Sequence, residues 1–248
     1  MLNDAQNQAV RTVQGRILVL AGAGTGKTRV IVHRIAYLIR ELQVSPQSIL
    51  GLTFTNKAAA EMRERVAGLI GREAGGQVTL STFHSFCMQL LRREIERLGY
   101  TKHFSLYDER DIDRLIGQIA REMLGCEGEL PSLGPTKAAL NEAAQQVGEP
   151  NWHDKFAKEL HERLQSTLRA YNAVSFDNLI ALAIRLFEMD GKILEKYQDR
   201  YRYIMIDEYQ DTNPAQSRLA ELLAAKYGNL CVVGDDDQSI YGWRGADV

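Results

Sequence analysis

A chain of 248 residues is long enough for one large domain or two small ones, with a buried core. Lys and Arg number 30 against 32 Asp and Glu, a formal charge of −2. That balance excludes a global basic field, so any nucleic-acid partner must be held by a local patch and by stacking. The three cysteines, Cys87, Cys126 and Cys231, lie far apart with no C-x-x-C pair, which argues against a zinc knuckle and for reduced thiols in a cytoplasmic protein. No apolar run is long enough to cross a bilayer, and the polar N-terminus lacks a signal-peptide core. No membrane partner is expected.

In chain order, Asn3 or Asp4 caps a first helix carrying Ala9, Val10 and Val13 on one side, with Gln8 also on it. Ile17-Leu18-Val19-Leu20 reads as a strand, and Val30, Ile31, Ile35, Leu38 and Ile39 have helical spacing. Between them lies Ala21-Gly22-Ala23-Gly24-Thr25-Gly26-Lys27-Thr28, which fits G-x-x-x-x-G-K-T with Ala21 in the first small position. Glycines keep side chains away so that backbone N–H groups point at phosphate oxygens, and the following helix adds the positive end of its dipole. Lys27 would reach the β- and γ-phosphates and the Thr28 hydroxyl would ligate Mg²⁺. The nucleotide set is therefore Ala21, Gly22, Ala23, Gly24, Thr25, Gly26, Lys27, Thr28 and Arg29.

Further strands are predicted at Ile49–Phe54, Val78–Thr82, Tyr203–Asp207 and Leu230–Asp235, with Asn56 capping the helix after the second. From about residue 100 to 200 strand patterns vanish and helical periodicity dominates, as at Ile112, Leu115, Ile116 and Ile119, and at Phe156, Leu160, Leu164 and Leu168. This reads as an all-helical insertion in a parallel α/β sheet. Each strand ends in a polar cluster, and in such a sheet the carboxyl ends share the edge where ligands bind. Met205-Ile206-Asp207-Glu208 places Asp207 where it would hold Mg²⁺ and Glu208 where it would orient or deprotonate a water. Phe54, Phe83, His84, Tyr241 and Trp243 flank polar residues at strand ends, where rings stack bases; Thr55, Asn56, Thr82 and Arg244 would hold phosphates. For Phe54 and Phe83, core packing is an equal alternative. By themselves Gln8 is a surface residue of a helix and Gln238 a turn residue.

Taken together, the motifs resemble the superfamily 1A DNA helicases, the UvrD/Rep/PcrA group. Leu2-Asn3 with Gln8-Ala9-Val10 resembles the Q motif, and Ala21 to Thr28 motif I. Thr53 to Ala59 resembles motif Ia, Ser81 to Ser85 motif Ib, Ile206 to Asn213 motif II and Val233 to Asp247 motif III. The resemblance implies a RecA-like P-loop NTPase sheet, subdomain 1A, over residues 1–89 and 191–248, with subdomain 1B inserted at 90–190. It implies ATP and Mg²⁺ as ligands, Gln8 as adenine reader, and Gln238 coupling the γ-phosphate to DNA. Catalysis would rest on Lys27, Asp207, Glu208 and Gln238. The partners it implies are single-stranded DNA and single-strand/duplex junctions, bound by a 3′→5′ helicase. The family's second lobe, with motifs IV to VI, has no counterpart up to Val248, so contacts without efficient turnover are expected of these residues. Two other readings share the motifs: the ATPase part of an AddA/RecB-type helicase–nuclease, and a nucleotide-responsive DNA-binding module that does not hydrolyse ATP.

Overall fold

The computed structural model describes residues 2–22, 24–126, 131–145 and 151–235. Its elements form two compact units, one of residues 1–86 and 187–248 and the other of residues 87–186.

The first unit opens with α1 (Asp4–Arg11) and β1 (Arg16–Leu20). Asn3 caps α1 in a box: its side chain accepts the Gln6 N–H while the Gln6 side chain accepts the Asn3 N–H. Next come α2 (Lys27–Arg40), β2 (Ile49–Thr53), α3 (Asn56–Ile70), α4 (Arg72–Gln77), β3 (Thr79–Thr82) and α5 (Phe83–Glu94). The cap of α3 is Thr55, not Asn56: the Thr55 hydroxyl accepts the Ala58 N–H at 3.0 Å, and Asn56 is the exposed first residue of the helix.

The second unit, entered within α5, holds β4 (Ser105–Tyr107), α6 (Glu109–Leu124), α7 (Gly134–Gln145), α8 (Lys155–Ala170) and β5 (Ala173–Ser175). The chain returns to the first unit through α9 (Asn178–Met189), then α10 (Gly191–Arg200), β6 (Tyr203–Ile206), α11 (Pro214–Ala224) and β7 (Leu230–Gly234).

The first unit's five strands form one parallel sheet in the order β1-β7-β6-β2-β3. β2 and β7 are buried along their whole length, as central parallel strands covered on both faces must be. Ile31, Ile35 and Leu38 of α2, and Met62 and Val66 of α3, pack with Ile49, Leu80, Met205 and Val233 of the sheet. Gly51 has no side chain because a Cβ there would collide with the methyl group of Leu80 on the neighbouring strand. β1 lies at the sheet edge and leaves Leu18 and Leu20 more than half exposed.

Arg34 on α2 is 1% exposed. Among the described residues it pairs with no carboxylate; its guanidinium donates to the carbonyls of Ala9, at 2.6 Å, and Thr12, at the end of α1. Burial lowers its pKa, and the negative end of the α1 dipole is the compensating environment. α1 buries only Val10, so this clamp and the Gln6 end hold it in place.

The second unit departs from the all-helical expectation. β4 and β5 pair in parallel over three residues each, from Ser105 with Ala173 to Tyr107 with Ser175. Segments this short carry too little alternation to register as strands in the sequence. The helical content is otherwise as the periodicity predicts: Leu115, Ile116 and Ile119 of α6, Leu140 of α7, and Leu160, Leu164 and Leu168 of α8 form a separate core.

Trp152 packs against His161 of α8, ring centroids 5.0 Å apart. Burial holds the His161 pKa below its ordinary value of 6.5. The unfolded chain therefore binds a proton in a range where the folded chain does not, and stability falls as pH drops below about 6.5. His161→Gln should flatten that acid-side loss, measured as denaturation midpoint against pH between roughly 5 and 7.

Candidate nucleotide site

All strands of the main sheet run parallel, so the carboxyl ends of β1, β7, β6, β2 and β3 lie along one edge. The loop after β1 is tied into this edge by the Ala21 N–H, which donates to the Gly234 carbonyl at the end of β7. Gly24 and Gly26 have φ of 71° and 87°, a region that glycine enters without the steric cost other residues carry. The Thr25 hydroxyl closes the turn onto the Gly22 carbonyl at 2.6 Å. Gly26 then caps α2 with no side chain in the way, and the free N–H groups of the first turn face the loop. Ala23 lies outside the described residues. Arg29 is exposed on the first turn of α2.

Lys27 is 8% exposed, and its ammonium lies between two carboxylates, 3.3 Å from Asp235 Oδ2 and 3.4 Å from Glu208 Oε2. An ammonium this buried requires opposite charge, and two strand ends supply it. Beside it the Thr28 hydroxyl donates to Asp207 Oδ2 at 2.8 Å. Asp207 is 2% exposed; its backbone N–H donates to the Leu52 carbonyl, and its Oδ1 accepts the Glu208 N–H at 3.2 Å. Desolvation pushes the Asp207 carboxyl above its ordinary pKa, opposed by the Thr28 hydrogen bond and reinforced by the charge of Glu208.

Glu208 itself has φ 53° and ψ 47°. For a residue with a Cβ that left-handed conformation costs about 1–2 kcal/mol, and strain of this kind clusters at functional sites. The structure thus gathers Lys27, Thr28, Asp207 and Glu208 and adds Asp235, which the sequence marked only as the end of a strand and part of the motif III stretch.

The other expected site residues divide. Gln8 is on the exposed side of α1; the side chain that reaches the loop is that of Gln6, whose amide donates to the Thr25 carbonyl at 2.7 Å. The spacing Asn3-x-x-Gln6 is the signal that marks it, since a capping box orients that amide. Phe83 is 1% exposed, so its ring belongs to the core rather than to a solvent-facing stacking surface. It supports the half-buried Phe54 edge to face, centroids 6.3 Å apart. Thr82 is buried, and its hydroxyl is engaged with Ser85 at the start of α5. Thr55 and Asn56 are exposed and His84 half-buried. Gln238, Tyr241, Trp243 and Arg244 lie outside the described residues.

Residues 2–248 match the family model of the UvrD/REP helicase N-terminal domain. The chain belongs to this family. It is 45% identical over 254 aligned positions to the ATP-dependent DNA helicase PcrA of Staphylococcus aureus strain Mu50, covering 100% of this chain and 35% of that protein. The PcrA helicase of Staphylococcus epidermidis strain ATCC 35984 is also 45% identical, over 256 positions, with the same coverage. The chain therefore spans about a third of the length of these relatives.

Hard oxygen donors at Thr28 and Asp207, spaced for a shared ligand, fit Mg²⁺, whose remaining shell is ordinarily water and phosphate. Among the described residues no group of three or more His, Cys, Asp or Glu is placed to hold a metal. With its pKa raised, the Asp207 carboxyl costs the folded state stability once ionised, because the unfolded chain gives up that proton more readily. Asp207→Asn should therefore raise the denaturation midpoint of the nucleotide-free protein at neutral pH. It should also weaken Mg²⁺-dependent nucleotide binding by more than the ~10–100-fold typical of a lost outer-shell partner. Calorimetry and a fluorescent-nucleotide titration read the two effects.

Proposed function

We propose that this chain is the nucleotide-binding and DNA-contacting part of an ATP-dependent DNA helicase of 3′→5′ polarity. Residues 90–190 are read as a subdomain inserted in a RecA-like one. The observation that carries this reading is the buried Lys27 held between Glu208 and Asp235, beside the Thr28–Asp207 pair. A lysine at the start of a helix that follows a glycine loop is placed to exchange its carboxylate partners for phosphate oxygens.

The chemistry follows from the donor set. The loop N–H groups and Lys27 bind and orient the triphosphate. Thr28 and Asp207 would hold Mg²⁺, which when bound neutralises charge on the phosphates. Glu208, about a third exposed, is free to orient a water and take its proton at a carboxylate oxygen. Gln238 would report the state of the γ-phosphate toward the DNA side. Phe54, Tyr241 and Trp243 would stack bases of a single strand, with Thr55, Asn56, His84 and Arg244 around the backbone. Duplex junctions would engage the same face.

The family and the printed names of the Staphylococcus relatives support ATP dependence and DNA as the partner. Among the described residues no helix is long and apolar enough to cross a membrane.

In the full-length protein, Lys27→Ala should abolish strand separation and lower ATP turnover by about 10²–10³-fold, the scale of losing one preorganised electrostatic donor. Retained unwinding would remove Lys27 from this role. Trp243→Ala should weaken single-strand binding by about 1–3 kcal/mol with little change in nucleotide affinity, read by fluorescence anisotropy; unchanged DNA affinity would place that ring elsewhere.

A further inference from the structure

Gln210 follows Glu208 by two residues in the 3-10 turn Tyr209–Asp211 and is 4% exposed. Its Oε1 accepts the backbone N–H of Asp235 at 3.0 Å, and its Nε2 donates to Glu208 Oε2 at 2.8 Å. The chemistry permits only this orientation of the amide: a backbone N–H can only donate, and an ionised carboxylate can only accept. The turn and the end of β7 also approach closely. A Cβ on Gly234 would lie 3.0 Å from Gln210 Oε1 and 3.3 Å from its backbone nitrogen, so glycine at 234 is what lets the amide seat.

We infer that Gln210 is a positioning residue for Glu208: anchored on the end of β7, its amide holds the Glu208 carboxylate ready for the attacking water. This rests on the ATPase reading above. Three observations bear on it. The Glu208 backbone is left-handed, so neither a helix nor a strand aims its side chain. Lys27 and Gln210 share the same oxygen, Oε2; once phosphate draws the ammonium away, the amide is what still holds the carboxylate. And an amide is neutral, so it fixes one oxygen without adding a cation that would weaken the carboxylate as a base. Asp235, whose carboxylate also receives Lys27, is tied to the same amide through its backbone N–H, so one side chain bridges the Glu208 carboxylate and the main chain of Asp235.

The test uses the full-length protein with saturating single-stranded DNA. Gln210→Glu keeps the shape and the acceptor facing Asp235 but replaces the donor facing Glu208. Gln210→Met keeps the length and removes both polar ends, and it carries the test if the first variant fails to fold. Each should lower kcat for ATP hydrolysis by about 10–100-fold, the scale of a misplaced reacting group. The KM for ATP and the affinity for a fluorescent nucleotide should stay within about threefold, since binding draws on the loop and Lys27. In a Glu208→Gln background, Gln210→Met should add no further loss, because the residue it positions is already gone. Full turnover by Gln210→Glu, parallel changes in kcat and KM with a lowered melting midpoint, or additive losses in the double variant would each overturn the inference. Absence of hydrolysis by the unsubstituted protein would instead remove the ATPase reading, and this inference with it.

Discussion

The ammonium of Lys27, shut away from water between Asp235 and Glu208, is the contact around which the site is arranged. A buried ammonium is costly without opposite charge beside it, and the two carboxylates supply that charge. The pair of contacts therefore draws the ends of β6 and β7 toward the start of α2. It also leaves the site self-satisfied but exchangeable. A phosphate group would offer the lysine more charge than either carboxylate.

Holding these groups together strains the backbone. Glu208 is left-handed, and the Asp207 carboxyl sits where burial resists its ionisation. These local costs are offset by the rest of the first unit, whose sheet is covered by α2 and α3 with apolar side chains from both helices. The site is imposed by a well-packed scaffold rather than built from its own favourable contacts. A buried arginine, Arg34, extends the scaffold to α1, and α1 in turn reaches back to the loop through Gln6. The second unit has its own core, of α6, α7, α8 and β5.

Much was legible in the residues alone. The strand–glycine loop–lysine–threonine–helix order and the apolar strand ending in Asp207-Glu208 are local patterns, and local spacing sets which atoms a turn can present. The five strands of the main sheet and the helical periodicity are likewise local, since burial on one face repeats every 3.6 residues in a helix. What the residues misread was also local in cause. Thr55 displaced Asn56 as a cap because both have capping side chains one position apart. The short β4–β5 pair was too brief for alternation to show. Phe54 and Phe83 were indistinguishable until one ring was found beneath the other.

The sequence by itself determined that a glycine loop ending in Lys27-Thr28 follows one strand of a parallel sheet and that the acids Asp207-Glu208 follow another, because each pattern is written within a run of a few residues. Only the tertiary structure decided which side chains complete the site. Asp235 meets Lys27 across 208 residues of chain, Gln210 bridges to Asp235 across 25, and Gln6 reaches Thr25 across 19. Such pairings depend on the strand order β1-β7-β6-β2-β3, which sets β7 and then β6 beside the first strand. No periodicity or motif records that order: it follows from packing the helices and strands around one core.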